Sequence, residues 1–285
     1  MNVSGHTLVF GLIGHPVRHS LSPAMHTRLF QHFGVDAVYV AFDVHPARSR
    51  QVADAMRTLD LRGANLTVPF KAAILDQLDR VTGAAEEARA VNVVIQHDGF
   101  LTGYNTDGEG FARALELRHG PLPQACSVLV LGSGGAGRAV AAAIAERGAS
   151  RITFLNRTQD HARDSVDHLA RFHPDTVFDH APLTPAAFRA HVSGTALVAN
   201  CTAGPARRMV EALPAMELDP ATIWSDINYW MQDPPHLARL AADGRPVQGG
   251  LGMLLHQGAL SFELFTGYPV EAELLQRVRK AAAES

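Results

Sequence analysis

Cysteine is nearly absent from this chain. Cys126 and Cys201 are the only two among 285 residues, too few for a disulfide framework and in no metal-ligand spacing. Long apolar runs are missing as well. Stretches such as Leu8-Val9-Phe10 and Val128-Leu129-Val130-Leu131 fall far short of the roughly 20 residues that cross a bilayer. The opening Met1-Asn2-Val3-Ser4-Gly5-His6 has neither the basic stretch nor the apolar core of a secretory signal, which predicts a cytoplasmic protein. Nor is there an excess of one charge. A net charge of −3 gives no general electrostatic reason to expect nucleic acid or an anionic membrane as partner. The 15 histidines are scattered without ligand spacing, so no metal is expected. Lysine is the scarcest charged residue: Lys71 and Lys280 stand alone among 25 basic residues.

What is present reads as a globular enzyme-sized chain. Apolar residues at 47% and charged residues at 19% provide ample core, and the length suits two domains or one large one. The first hundred residues alternate strands and helices. Leu8 to Ile13, Ala37 to Val44 and Gly63 to Val68 read as strands, and Ser22 to Phe33 and Gln51 to Leu59 as helices. That order predicts a parallel α/β layer. A helix over Asp107 to Arg118 stops at Gly120-Pro121, and the alternation restarts. Strand Ser127 to Leu131 is followed by a glycine loop, helix Arg138 to Glu146, strand Arg151 to Leu155 and a helix from Thr158 to Phe172. Further strands are predicted at Thr195 to Ala199 and Thr222 to Asp226, and helices at Met253 to Phe265 and Val270 to Ala282. The pattern therefore predicts an α/β substrate domain over 1–107, completed by C-terminal helices within 249–285. A Rossmann-type doubly wound domain over 108–248 is inserted between them.

The loop Gly132-Ser133-Gly134-Gly135-Ala136-Gly137 fits the dinucleotide fingerprint. Its first glycine permits the turn, its second a close approach of the backbone to a pyrophosphate, and its third close helix-strand packing. Such spacing also occurs in plain βα turns; here an apolar strand enters it and an Ala-rich helix leaves it. The next strand ends in Asn156-Arg157-Thr158, with no acid before Asp160. An NAD-type site places an acid there, whereas an arginine clamps a 2′-phosphate, so NADP(H) is expected. Arg157 also reads as a surface residue beside a helix cap formed by Asn156 or Thr158.

Two polar clusters fall where loops follow strands in the first block. Gly14-His15-Pro16-Val17-Arg18-His19-Ser20-Leu21-Ser22-Pro23 presents two hydroxyls before a helix. An N-cap role explains Ser22 but not Ser20, and paired hydroxyls there make a seat for a carboxylate. In Asn65-Leu66-Thr67-Val68-Pro69-Phe70-Lys71, a chain that otherwise uses arginine keeps a lysine. Hydride reduction of a carbonyl needs a proton donor beside the developing alkoxide. A lysine can serve when partial burial lowers its pKa, and an arginine cannot. A solvated lysine at a helix start is the plainer reading. Ala90-Val91-Asn92 and Gly103-Tyr104-Asn105-Thr106-Asp107-Gly108 add an amide and a carboxylate, although Asn105 and Asp107 also read as helix caps.

Together with Gly250-Leu251-Gly252-Met253-Leu254-Leu255-His256-Gln257, these segments resemble the shikimate dehydrogenase family over nearly the whole chain, in order. The resemblance implies NADPH-dependent, reversible reduction of 3-dehydroshikimate to shikimate, a step of aromatic amino-acid biosynthesis. It implies that Lys71 and Asp107 are the catalytic pair, with Lys71 the acid/base and Asp107 binding ring hydroxyls while holding the ammonium. It further implies that Ser20, Ser22 and Tyr229 hold the substrate carboxylate and that Thr67, Asn92 and Gln257 contact the substrate. Asn156, Arg157 and Thr158 become the adenosine-phosphate clamp, Ile227 becomes a cofactor contact, and Gly250 falls beside the nicotinamide. A monomer or homodimer with a small-molecule substrate is the implied assembly.

The sequence departs from the family at three places. Asn200-Cys201-Thr202-Ala203-Gly204-Pro205 stands where the family has Asn-x-Thr-Ser-x-Gly. Asp226-Ile227-Asn228-Tyr229 continues as Trp230-Met231-Gln232-Asp233-Pro234-Pro235 where a proline and a threonine are usual. Gly249 replaces an acid. All three lie on the cofactor side and bear on its geometry more than on the reaction class. Two alternatives stay open: action on quinate or an amino-shikimate analogue, and a non-catalytic cofactor-binding sensor whose output is ligand-driven closure.

Overall fold

The computed structural model describes residues 3–229 and 235–282. Trp230 to Pro234, one of the departures above, lies outside the described residues. The chain forms two compact units, Met1–Thr106 with Leu255–Ser285, and Asp107–Leu254.

The first unit runs β1 (Leu8–Gly14), α1 (Ser22–Phe33), β2 (Ala37–Asp43), α2 (Val52–Thr58), β3 (Gly63–Leu66), α3 (Phe70–Ala73), β4 (Arg80–Val81), α4 (Gly83–Ala88), β5 (Val93–His97) and β6 (Phe100–Tyr104). Its sheet has the order β2-β1-β3-β5-β6-β4. The expected parallel layer holds for β1, β2 and β3. It does not hold for β5, which runs antiparallel to both β3 and β6. The reason is local: Asp98 and Gly99 both take positive φ, 50° and 80°, and a two-residue Asp-Gly turn forces the chain straight back into a hairpin. Ile13, Ala64, Leu66, Val91, Val94 and Leu101 are buried with Val52, Met56 and Phe70 in one core.

The second unit runs α5 (Asp107–His119), β7 (Ser127–Leu131), α6 (Gly135–Glu146), β8 (Arg151–Asn156), α7 (Gln159–Leu169), β9 (Val177–Pro182), α8 (Pro185–His191), β10 (Thr195–Asn200), α9 (Arg207–Glu211), β11 (Ile223–Asp226), α10 (Pro235–Ala242) and β12 (Val247–Gln248). The chain continues as α11 (Leu251–Thr266), most of which, with α12 (Ala272–Ala282), belongs to the first unit. The sheet order β12-β11-β10-β7-β8-β9 is parallel throughout. Both of its faces are covered, and the strands alternate accordingly. Val128, Val130, Ile152, Phe154, Leu197 and Ala199 pack with α5, α6 and α7 on one face. Leu129, Leu131, Leu155 and Val198 pack with Phe188, Val210, Leu237 and Leu240 on the other. The chain winds outward in two directions from β7 and β10, so the crevice between the ends of these two strands is the switch point where doubly wound sheets bind ligands. No helix among the described residues is long and apolar enough to cross a membrane, and no group of three or more metal-ligating side chains occurs among them.

His26 of α1 is the most consequential buried titratable group in the first unit. It is 1% exposed, stacked on Tyr39 at 4.3 Å and 4°, and burial pushes its pKa down from 6.5 to about 3. Between those values the unfolded chain binds a proton that the folded state refuses, so stability rises with pH across the window and is lost as pH falls. At about pH 4.5 the loss attributable to His26 is on the order of 2–3 kcal/mol. Urea unfolding at neutral pH and at about pH 4.5 is expected to show a difference of that order between the wild type and His26→Phe, the variant losing less. An equal loss in both proteins refutes it.

Candidate functional site

In the second unit the site is built on the glycine loop. β7 delivers the chain to Gly132 at φ +94°, a conformation that side-chain-bearing residues rarely adopt. A Cβ there would stand 3.2 Å from the Cys201 carbonyl oxygen, and one at Gly137 would collide with the Gly132 carbonyl oxygen. Gly134, by contrast, faces open space, with nothing within 4 Å of a Cβ position. It is also the N-cap of α6 and caps it with no side chain, so the first-turn N–H groups are available to an anion. The helix begins at Gly135, ahead of the predicted start at Arg138. The loop borders a cleft of about 470 Å³ whose lining includes Gly132, Ser133, Arg138, Arg157, His161 and Thr202.

Asn156, the last residue of β8, ties this loop to the next one. Its Oδ1 accepts from Ser133 N at 3.3 Å and its Nδ2 donates to the Thr158 carbonyl at 2.8 Å. Of the two residues read as the helix cap, Thr158 is the N-cap of α7, though it makes no side-chain capping bond, while Asn156 spends its side chain on Ser133 and Thr158. Arg157 is exposed on the lining of the cleft, where its guanidinium is presented to solvent. Arg138, missed from sequence as a cleft residue, donates from Nη1 to the Ser133 carbonyl at 2.8 Å. The cleft thus has a helix start with unspent N–H groups, two guanidiniums and a glycine that admits close approach. This donor set suits a dinucleotide bearing an extra phosphate.

On its other side the cleft is lined by Cys201, Thr202 and Ala203, just beyond the end of β10, and β10 pairs Asn200 with Asp226 of β11 behind that lining. Asn200 Nδ2 donates to Asp226 Oδ2 at 2.6 Å, and Asn200 Oδ1 accepts from Thr202 N and Oγ1 at 3.1 and 2.7 Å. Asp226 Oδ1 accepts from Asn228 N and Nδ2 at 2.9 and 2.7 Å. Gly250 packs so closely on the carbonyl of Ile227 that a Cβ has no room. Between these walls, the Cys201 thiol is buried, and its pKa is pushed up by that burial and by the charges of Asp226 and Asp107. It fills space and is no nucleophile. Asp107 is buried as the first residue of α5. Tyr229 is half-buried in the coil beyond β11.

The first unit gathers its own set. Ser20 Oγ accepts from Ser22 N and donates to Ser22 Oγ, both at 3.2 Å. Ser22 is the first residue of α1, not its cap, which reverses the expected division of labour: Ser20 binds the local backbone and Ser22 is held beside it. Asn92 is fully enclosed. Its Oδ1 accepts from Thr106 N at 2.8 Å, and its Nδ2 donates to Thr106 Oγ1 at 2.9 Å and Gln257 Oε1 at 3.2 Å. Thr67 packs its methyl against Gly14 at the end of β1. Lys71, in α3, has its carbonyl bonded to Val91 N at 2.7 Å, next to Asn92, and Asn105 Nδ2 holds the neighbouring Ala90 carbonyl at 2.8 Å. Sequence reasoning missed the residues that brace this set. Asn65 accepts from the Tyr39 hydroxyl at 2.8 Å and donates to Ser261 Oγ at 2.8 Å. Ser261 in turn donates to the Gln257 carbonyl at 2.8 Å.

Two family descriptions match the chain: "Shikimate dehydrogenase substrate binding domain" over residues 12–94 and "Shikimate 5'-dehydrogenase C-terminal domain" over residues 250–281. A curated relative from Geobacter sp. (strain M21), "Shikimate dehydrogenase (NADP(+))", is 40% identical over 268 residues, 94% of this chain and 92% of its own. The chain belongs to the shikimate dehydrogenase family. Among solved structures, the Listeria monocytogenes shikimate 5-dehydrogenase in complex with shikimate and NAD is similar with a TM-score of 0.87 at 32% identity, covering 99% of this chain and 98% of that one. The Thermus thermophilus shikimate 5-dehydrogenase in complex with NADP(H) and shikimate has a TM-score of 0.81 at 35% identity, covering 96% and 99%. Family membership therefore rests on both units and on nearly the full length.

Asn65 is the brace with partners on β2 and α11. Asn65→Ala removes a buried acceptor from Tyr39 and a buried donor to Ser261, and is expected to destabilise the protein by about 1–3 kcal/mol. Urea unfolding measures this, and a change within the error of the method would show that other bonds hold the network.

Proposed function

We propose that this chain catalyses the NADPH-dependent, reversible reduction of 3-dehydroshikimate to shikimate. The observation that carries this reading is the cleft of the second unit, glycine loop on one side and Arg157 on another, in a chain similar over nearly its full length to enzymes named for that activity. When bound, the dinucleotide supplies the hydride and accepts it in reverse. Everything else falls to the protein's own side chains.

The α6 N-terminus and the glycine loop take the pyrophosphate, while Asn156, Arg157 and Thr158 take the adenosine end, Arg157 pairing with the 2′-phosphate. Ile227 and Gly250 border the nicotinamide. The Ser20 and Ser22 hydroxyls turn to donate to the substrate carboxylate, joined by Tyr229. Asn92 cannot flip, because its two ends have different obligatory partners, and it fixes Gln257 with the Oε1 accepting. That leaves Gln257 Nε2 as a donating end, and with Thr67 these groups read the ring hydroxyls. Lys71 gives its proton to the oxygen that becomes the shikimate hydroxyl and takes it back in the oxidation. Asp107 orients the ring hydroxyl and holds the Lys71 ammonium. A cytoplasmic location and a monomeric or homodimeric state accompany this reading.

The direct test is purified protein with shikimate and NADP⁺, followed at the absorbance of the reduced cofactor. Absence of turnover at high shikimate sinks the assignment, and competition with quinate, which carries an extra ring hydroxyl, separates the two acids. Lys71→Ala is expected to cost on the order of 10² to 10⁴ in kcat with a smaller effect on KM; near-normal kcat removes Lys71 from its role. Arg157→Ala is expected to weaken NADP⁺ binding far more than NAD⁺ binding in calorimetric titrations, and equal losses for both would remove the 2′-phosphate assignment.

A further inference from the structure

Asp226 is a carboxylate 2% exposed, and its hydrogen bonds lead, through Asn200 and Asn228, to Thr202 on the cleft lining. Three of its donors come from residues already described: Asn200 Nδ2 on Oδ2, and Asn228 N and Nδ2 on Oδ1. The fourth is His236, second residue of α10, whose Nε2 lies 3.3 Å from Oδ2. His236 is itself 4% exposed, and the ring of Trp224 meets it edge-on at 5.4 Å. The bond to a carboxylate selects the tautomer with the proton on Nε2. This leaves Nδ1 as a buried acceptor, and among the described residues it has no partner; neither does Trp224 Nε1. A leucine at 236 would bury as well and leave no orphaned atom. An orphaned polar atom in an apolar core is destabilising and calls for a reason.

We infer that His236 is a positioning residue for hydride transfer, acting through Asp226. Without the His236 bond, Oδ2 keeps only Asn200, and the carboxylate loses the contact that ties it to α10. Every connection that follows leads to the cofactor cleft. Asn200 holds Thr202, which lines the cleft. Asn228 Nδ2 also holds the Thr202 carbonyl at 3.3 Å. Ile227 N is bonded to the Asn200 carbonyl at 3.1 Å, and the Ile227 carbonyl is the surface against which Gly250 is packed. One ring on α10 thus fixes two loops and the approach to Gly250. The inference rests on the dinucleotide reading of that cleft.

The test uses the full-length protein and three variants. His236→Leu keeps the bulk and removes the donor; His236→Gln puts an amide N–H at about the reach of Nε2; His236→Asn is polar but too short to meet Oδ2. Kd for NADP⁺ and for shikimate is measured by calorimetry, kcat by steady-state assay and Tm by thermal unfolding. His236→Leu and His236→Asn are expected to weaken NADP⁺ about tenfold and lower kcat about ten- to a hundredfold, the scale of a misplaced reacting group. Shikimate Kd stays within about twofold, and His236→Gln returns both affected values to within about threefold of wild type. A Tm change with NADP⁺ Kd and kcat unaltered, or a glutamine that rescues nothing, overturns the inference. Should the wild type itself fail to bind NADP⁺, the dinucleotide reading fails instead, and the two failures are told apart by that single titration.

Discussion

A parallel strand that ends inside a protein strands polar groups where water cannot reach them, and those groups must be paired or the fold forfeits several kcal/mol. The chain meets this constraint with short polar side chains at strand ends: Asn65 in β3, Asn156 at the end of β8, Asn200 at the end of β10 and Asp226 at the end of β11. Each is buried or half-buried, and each spends its hydrogen bonds on a neighbouring segment. These bonds are what converts two stable sheets into two shaped sites. Asn65 reaches α11, where Gln257 sits; Asn156 holds Ser133 of the glycine loop; Asn200 and Asp226 hold Thr202 and Asn228. The proposed ligand contacts lie mostly on loops, and the strand-end side chains decide where those loops stand.

This explains what the sequence disclosed and what it hid. Local signals were legible. Apolar alternation placed most strands, Pro23 marked the start of α1, and the Gly132-to-Gly137 spacing between an apolar strand and an Ala-rich helix marked the cleft, because steric fit at a glycine is a property of a few adjacent residues. The mixed sheet of the first unit was misread even though its Asp98-Gly99 turn is a strong hairpin signal, since β6 and the two-residue β4 carry too few apolar positions to show a period. β9 went unread for a related reason: it is an edge strand, and Asp179 and His180 interrupt its pattern. The bracing network was beyond reach altogether. Asn65 and Ser261 meet across 196 residues of sequence, and nothing near either residue announces the other. His236 looked like one more scattered histidine until the backbone of α10 brought it to Asp226.

The departures from the family pattern gain a physical meaning from the same bonds. Cys201 occupies the position between Asn200 and Thr202, where its carbonyl meets Gly132, its Cβ faces Gly137 and its thiol is held protonated by burial. Thr202 is bonded twice to Asn200, so the backbone of this turn is fixed before Ala203 is reached, and the serine usual at that place is not needed to hold it. On the β11 side, Asp226 and Asn228 form a closed turn of their own. The chain thus retains the anchors of the cleft wall while its rim differs. This is the pattern expected if rim residues tune cofactor geometry and anchors preserve the fold.

The scarcity of lysine becomes intelligible last. Arginine forms several scaffold ion pairs among the described residues: Arg57 with Asp79, Arg147 with Glu109 and Glu116, Arg189 with Glu217. A guanidinium suits that work, because it is always charged and its planar fork engages a carboxylate at two points, as Arg189 does with both Glu217 oxygens. It is for the same reason useless as a proton carrier. An ammonium is a point donor whose proton can leave, and its affinity for that proton responds to its surroundings. The chain sets Lys71 at the start of α3, its carbonyl tied to the segment that carries Asn92. The proposed acid/base is then a lysine where the chain elsewhere mostly uses arginine, and the hydrogen-bonded amide beside it gives the chemistry a fixed address.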